Sequence, residues 1–219
     1  MAKTKVWFDP NALLLAFLVL IVFLVPVLHL SYHEFLYDFL FSCIFILSAL
    51  SIRNVGQKKL LTIALLYIIL TWISSEVDIA EVSLGVRIVV AGVFLYTIVR
   101  LIKQTAEAKD VNVRVIADSI SGYLLVGLVF TLLAHSLARL IPGAFHFPSG
   151  DDLTRQVQLS EMFYYVFVTY SSTGYGDITP VSPVARSFAT LISVSGQMYV
   201  AVIIALLVGK FSSKSTMRE

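Results

Sequence analysis

Six stretches of the chain are apolar almost without interruption, at residues 11–30, 35–52, 60–74, 82–102, 120–141 and 183–210, and charged residues gather in the segments between them. A helix needs roughly 20 mostly apolar residues to cross a bilayer, so the pattern predicts six transmembrane helices. The third is short and should stand nearly upright or thin the bilayer locally. Asp9-Pro10 supplies the first span with a capping acid and a proline at its first position, and Ser182-Pro183 does the same for the last. A further apolar stretch, residues 161–170, is far too short to cross. It predicts a re-entrant segment that enters the membrane and returns, with Ser160 as its N-cap and Glu161 in its first turn.

Composition agrees with a membrane protein. Apolar residues make up 58% of the chain and charged residues 14%, against roughly 45–50% and 25% in soluble domains. Lys3 and Lys5 ahead of an apolar run imitate a signal peptide. The run from Ala12 to Leu30 is longer than a signal core of roughly 7–15 residues and no small-x-small cleavage site follows, so an uncleaved first helix is expected.

The net charge of +2 says nothing about nucleic acid; the positions of the charges are informative. Lys3, Lys5, Arg53, Lys58, Lys59, Arg100, Lys103, Lys109, Arg114, Lys210, Lys214 and Arg218 all fall on one side of the predicted topology. Glu34, Glu76, Asp78, Glu81, Asp151, Asp152 and Glu161 fall on the other. The basic side is cytoplasmic, which puts both termini inside the cell membrane, the inner membrane in a bacterium. Residues 104–115, mixing Lys109 and Arg114 with valines, should lie along the inner membrane surface, and 142–159 should form an extracellular turret. The expected organisation is a four-helix domain over 1–104, an interfacial linker over 105–117 and a second membrane domain over 118–219, with no cytoplasmic ligand-sensing domain.

Enzyme chemistry finds no support. Cys43 is alone in an apolar run, and His29 and His33, though four apart, sit at a helix end with Glu34 as the one nearby acid. No nucleophile with a base, nucleotide loop or cofactor motif is present.

The most specific local signal is Thr169-Tyr170-Ser171-Ser172-Thr173-Gly174-Tyr175-Gly176-Asp177, lying between two apolar segments. It resembles the tetrameric potassium channel family, whose motif reads Thr-x-x-Thr-x-Gly-Tyr-Gly-Asp. The bland alternative is a turn between helices that happens to be glycine-rich. The resemblance implies an all-α membrane protein: six transmembrane helices with a re-entrant pore helix and selectivity-filter loop, assembled as a homotetramer around a central pore. Its partners would be three further copies of the chain, potassium ions and membrane lipids, with no nucleic acid and no cofactor beyond permeant potassium. The filter would be Ser172, Thr173, Gly174, Tyr175 and Gly176. Carbonyls from Ser172 to Tyr175 would replace the hydration shell of potassium, with Gly174 and Gly176 supplying backbone freedom and Tyr175 pointing away from the ion path. Two departures stand out. Ser172 replaces the usual threonine, keeping the hydroxyl but losing a methyl, and Thr173 replaces valine or isoleucine, so its hydroxyl needs a polar partner behind the filter.

By the same resemblance Tyr164 and Tyr165 occupy the position of a tryptophan pair that buttresses the filter in many members; the alternative is an interfacial aromatic belt shared with Phe163 and Phe167. Thr169 opens the motif. Asp177 should hydrogen-bond to Tyr164 and be ionised, since Val168 stands where some members place a glutamate; the alternative is a solvated acid that concentrates cations. Gly196 lies at the spacing of the family's gating hinge, with close helix packing as its rival reading. Gln197, Val200, Ile204 and Val208 share one helical face, assigned to the pore wall, which puts Gln197 just below the filter.

In the fourth span Arg87 is followed by Val90, Val93 and Tyr96, and positive charge returns only at Arg100 and Lys103. The ladder of a voltage sensor is absent, and Arg87 is expected either to pair with Asp38 or to snorkel. Two rival functions remain: a cation channel that does not separate sodium from potassium, prompted by Ser172 and Thr173, and a potassium-uptake transporter subunit, disfavoured by the single strict Gly-Tyr-Gly.

Overall fold

The computed structural model describes residues 10–25, 33–51, 62, 80–108, 111–148 and 159–216. The fold is mostly helical. Helix α1 (Pro10–Val19) continues through a π-helical turn (Leu20–Leu24), and α2 (His33–Ser51), α3 (Ala80–Glu107) and α4 (Val113–Leu140) follow. After them come β1 (Phe145–His146), the short α5 (Leu159–Tyr170), β2 (Thr179–Pro180) and the long α6 (Pro183–Thr216). Within α4 and α6, Val113–Leu140 and Pro183–Lys210 are long and apolar enough to cross a membrane. The predicted third span, 60–74, lies outside the described residues apart from Thr62.

The expected linker is shorter than the sequence implies. α3 runs to Glu107 and α4 starts at Val113, so 105–107 and 113–117 of the linker predicted over 105–117 are helical. Gln104, Ala106 and Glu107 are strong helix formers. At the other side Asn112 Oδ1 accepts the Val115 amide at 3.0 Å and caps α4, a signal present in the sequence that the surface-linker reading passed over. α5 begins at Leu159, so Ser160 sits inside its first turn rather than at the cap.

Contacts divide the chain into two compact units, residues 1–125 with 206–219, and residues 126–205. In the first, α1 packs on α2 and α2 on α3. Leu14 and Leu18, one turn apart, are fully buried, and Phe45 meets Phe94 edge to face at 5.4 Å. Asn11 Nδ2 donates to the Asp118 carboxylate, and both residues are buried. A carboxylate so enclosed requires such donors. Lys210 Nζ donates to the carbonyls of Thr105 and Ala106, at 2.6 and 2.8 Å, and to that of Ala108. It thereby serves carbonyls at the C-terminal end of α3 that have no partner within the helix. The side chains of Arg87 and Asp38, expected to pair, lie outside those described.

The second unit holds the last turns of α4, both strands, α5, the loop after it and most of α6. Aromatic rings fill its interior: Phe130 lies 6.0 Å from Tyr170 and 5.8 Å from Phe188, and Phe145 meets Tyr165 edge to face at 5.1 Å. Gly127 leaves room for Phe167, whose Cζ would stand 2.5 Å from a Cβ placed there. The strands pair antiparallel, Phe145 with Pro180 and His146 with Thr179, a pairing unforeseen in the turret. It continues into the Val181 amide bond to the Ala144 carbonyl at 2.8 Å, which ties the chain after the loop to the chain before α5. Ser182 Oγ accepts the Ala185 amide at 3.1 Å and caps α6, as Ser182-Pro183 predicts.

Candidate ion-conducting site

The end of α5 shapes the candidate filter. The Thr173 amide bonds back to the Val168 carbonyl and the Ser172 amide to the Thr169 carbonyl, each at 3.0 Å. This six-to-one and five-to-two pair is a Schellman motif, whose left-handed position usually holds glycine. Ser172 takes it, with φ 61°, although a side chain in that region costs on the order of 1–3 kcal/mol. Gly174 and Gly176 follow at φ 57° and 78°. Positive φ therefore recurs at every second residue from 172 to 176, while Thr173 and Tyr175 stay at negative φ. Such alternation turns successive peptide planes over, so that carbonyls can face one side. The glycine spacing shows two of the three left-handed residues; Ser172 is the one that sequence reasoning missed, and the helix end just before it was the available signal.

Hydroxyls brace the loop. Ser171 Oγ donates to the Val168 carbonyl at 3.2 Å and lies 3.0 Å from Thr173 Oγ1. A hydroxyl has one proton, so Thr173 is the donor in the second bond, and Ser171 is the polar partner that Thr173 requires. Tyr175 is 71% exposed and stacks on Tyr164, with centroids 6.4 Å apart and planes 10° from parallel. Residues 171–177 are all exposed in the single chain.

Tyr164 Oη donates to Asp177 Oδ2 at 2.6 Å, the bond expected from the sequence, and the Ile178 amide donates to Oδ1 at 2.9 Å. The Tyr164 hydroxyl, first, and the Ile178 amide hold the Asp177 carboxyl below the usual carboxylate range against a smaller opposing effect of desolvation. A lowered pKa in the folded loop means that this interaction is fully present above the ordinary value of 3.8 and is lost as pH falls through the lowered one. Tyr164→Phe removes the principal cause. In that variant, loss of current on external acidification should begin at a higher pH than in wild type, as read from pH titrations of single-channel activity. Identical titration curves would reduce Asp177 to a solvated charge.

The remaining residues separate. Phe163 and Tyr165 are buried inside the unit, which an interfacial belt does not require. Thr169 contributes its carbonyl to the Schellman motif. A Cβ on Gly196 would stand 1.9 Å from the Tyr170 carbonyl oxygen, so this glycine marks a close approach of α6 to the last residue of α5. That geometry favours the packing reading over the hinge. Gln197 Nε2 donates to Ser172 Oγ at 2.9 Å. Val200, Ile204 and Val208 are exposed along α6 in the single chain.

Among known proteins, a family model described as an ion channel matches residues 120–213. The A-type voltage-gated potassium channel KCND3 of Rattus norvegicus and that of Homo sapiens are each 25% identical to this chain over 91 residues, which is 42% of the chain and 13% of theirs. The chain therefore spans about an eighth of the length of these curated relatives. These similarities are to an ion channel family and not to an enzyme family.

Proposed function

We propose, from the likeness of residues 120–213 to an ion channel family model and of 91 residues to potassium channels, that this chain is a subunit of a homotetrameric channel conducting potassium passively and selectively. One observation carries the reading: the alternating positive φ at Ser172, Gly174 and Gly176, within a loop whose residues 171–177 are exposed in the single chain. Ion coordination by backbone carbonyls demands that conformation. One chain supplies one such loop, and four are needed around an axis, which is the reason for the homotetramer. Potassium would sit between carbonyl layers from Ser172 to Tyr175, with Gly176 closing the outer end. Val200, Ile204 and Val208 would line the cavity below. The family and the apolar helices make this a membrane protein. The basic residue bias orients it in the cell membrane with both termini in the cytoplasm. Reconstitution into liposomes under potassium, sodium or caesium gradients tests the reading: flux should follow potassium and collapse with sodium.

Opening should depend weakly on membrane potential. Each charge moved across the field contributes about 2.3 kcal/mol per 100 mV, and Arg87 stands without a following ladder. The name of the KCND3 relatives describes voltage gating in those proteins. Steep activation in a planar bilayer, lost on neutralising Arg87, would contradict this reading.

A further inference from the structure

An amide among the valines and isoleucines of an inner helix has a donor group and an acceptor to satisfy. Gln197 places its donor on Ser172 Oγ at 2.9 Å, 25 residues away in sequence. Ser172 is the one non-glycine residue at positive φ among the described residues, held there by the Schellman motif at the end of α5. Its neighbour in the approach is Gly196, which lets α6 come against the Tyr170 carbonyl with no room for a Cβ. Consecutive residues of α6 thus meet one tight turn: Gly196 sets the distance and Gln197 makes the bond.

The direction of that bond matters. Gln197 donates through nitrogen, so it occupies one of the two lone pairs on the Ser172 oxygen. On the reading that Ser172 provides the innermost potassium ligand, one lone pair is left for the ion, and the hydroxyl proton is turned away from Gln197. Serine lacks the methyl that would pack a threonine in place. The Gln197 bond performs that orienting task from outside the filter.

We propose that Gln197 is a specificity-determining residue: its amide fixes the Ser172 hydroxyl oxygen relative to the ion path and so sets how well the innermost site separates potassium from sodium. A residue that merely lined the pore would change conductance and leave selectivity alone.

A double-mutant cycle on reconstituted full-length channels tests this. Gln197→Met keeps the side chain's length without the donor, and Ser172→Ala removes the acceptor. Each single variant should raise sodium permeability relative to potassium about tenfold, the scale of one lost hydrogen bond. The double variant should go no further than the larger single effect, since the same bond is lost once. Independent effects that multiply in the double variant, or a Gln197→Met channel as selective as wild type, overturn the proposal. If Gln197→Met does not assemble, Gln197→Leu is scored in the same way. Failure of both to assemble while Ser172→Ala assembles also overturns it, because Gln197 would then serve assembly and not the orientation of the Ser172 oxygen. A wild type that passes sodium and potassium equally defeats the filter reading itself, and the Gln197 proposal with it. A selective wild type with a selective Gln197→Met defeats the Gln197 proposal alone.

Discussion

Gly196→Ala is expected to abolish potassium conduction. The added methyl would stand 1.9 Å from the Tyr170 carbonyl oxygen and 2.9 Å from its carbon. Ordinary contact between carbon and oxygen is roughly 3.3–3.6 Å, so either α6 or Tyr170 must move by more than about 1 Å. The nearest obstructing atom is a backbone oxygen, with no rotamer to relieve it. Overpacking of this kind costs about 1–3 kcal/mol per site, or about 4–12 kcal/mol across the four subunits of the proposed tetramer. That is on the scale of the whole stability of a folded domain. A hinge predicts something different: stiffening by about 1 kcal/mol per helix, lower open probability and intact selectivity. Size-exclusion chromatography with single-channel recording separates the two. A normal tetramer with reduced opening and wild-type selectivity would restore the hinge.

Gly174→Ala should leave the chain able to fold but remove its discrimination between potassium and sodium. Space is not the obstacle here, since a Cβ at Gly174 would meet nothing within 4 Å in the single chain. Conformation is. At φ 57° an L-residue costs about 1–2 kcal/mol, and about 4–8 kcal/mol in a fourfold assembly. The loop already carries that burden once per subunit at Ser172, where the Schellman bonds and Gln197 offset it. Gly174 has no comparable side-chain support, and the cheapest relief is a peptide flip that turns a carbonyl away from the ion path. Bi-ionic potentials of the variant should approach zero. A strongly potassium-selective Gly174→Ala channel would show that the alternation of φ is not what selects.

The two glycines also mark how far the sequence could be read. The positive φ of Gly174 is legible in the sequence because the loop is a local device: the backbone conformation of five consecutive residues is written in the Gly-x-Gly spacing itself. The Tyr164 bond to Asp177 was legible through family position, 13 residues apart on adjoining elements. The Ser182 cap followed from the Ser-Pro pair. Gly196 was not settled, because hinge and close approach predict the same residue, and only the position of Tyr170 distinguishes them. The partners of Gln197 and Lys210 were also beyond reach. One bond joins residues 25 apart and the other residues about a hundred apart, and hydropathy treats glutamine as a polar pore residue and lysine as an inner-side charge. Charge and valine content suggest a longer linker than the helices leave, because helix propensity carries α3 to Glu107 and the Asn112 cap starts α4 at Val113. The strand pair between Phe145–His146 and Thr179–Pro180 has two residues on each side, too few for any alternation to register.

The central claim is that four copies of the 172–176 loop form a potassium-selective path. Reversal potentials of the wild-type channel in a planar bilayer, with potassium on one side and sodium on the other, test it most directly. The account predicts a large shift toward the potassium equilibrium potential, which reverses in sign when the two solutions are exchanged. A reversal potential at zero would contradict it and leave a cation channel that does not separate the two ions.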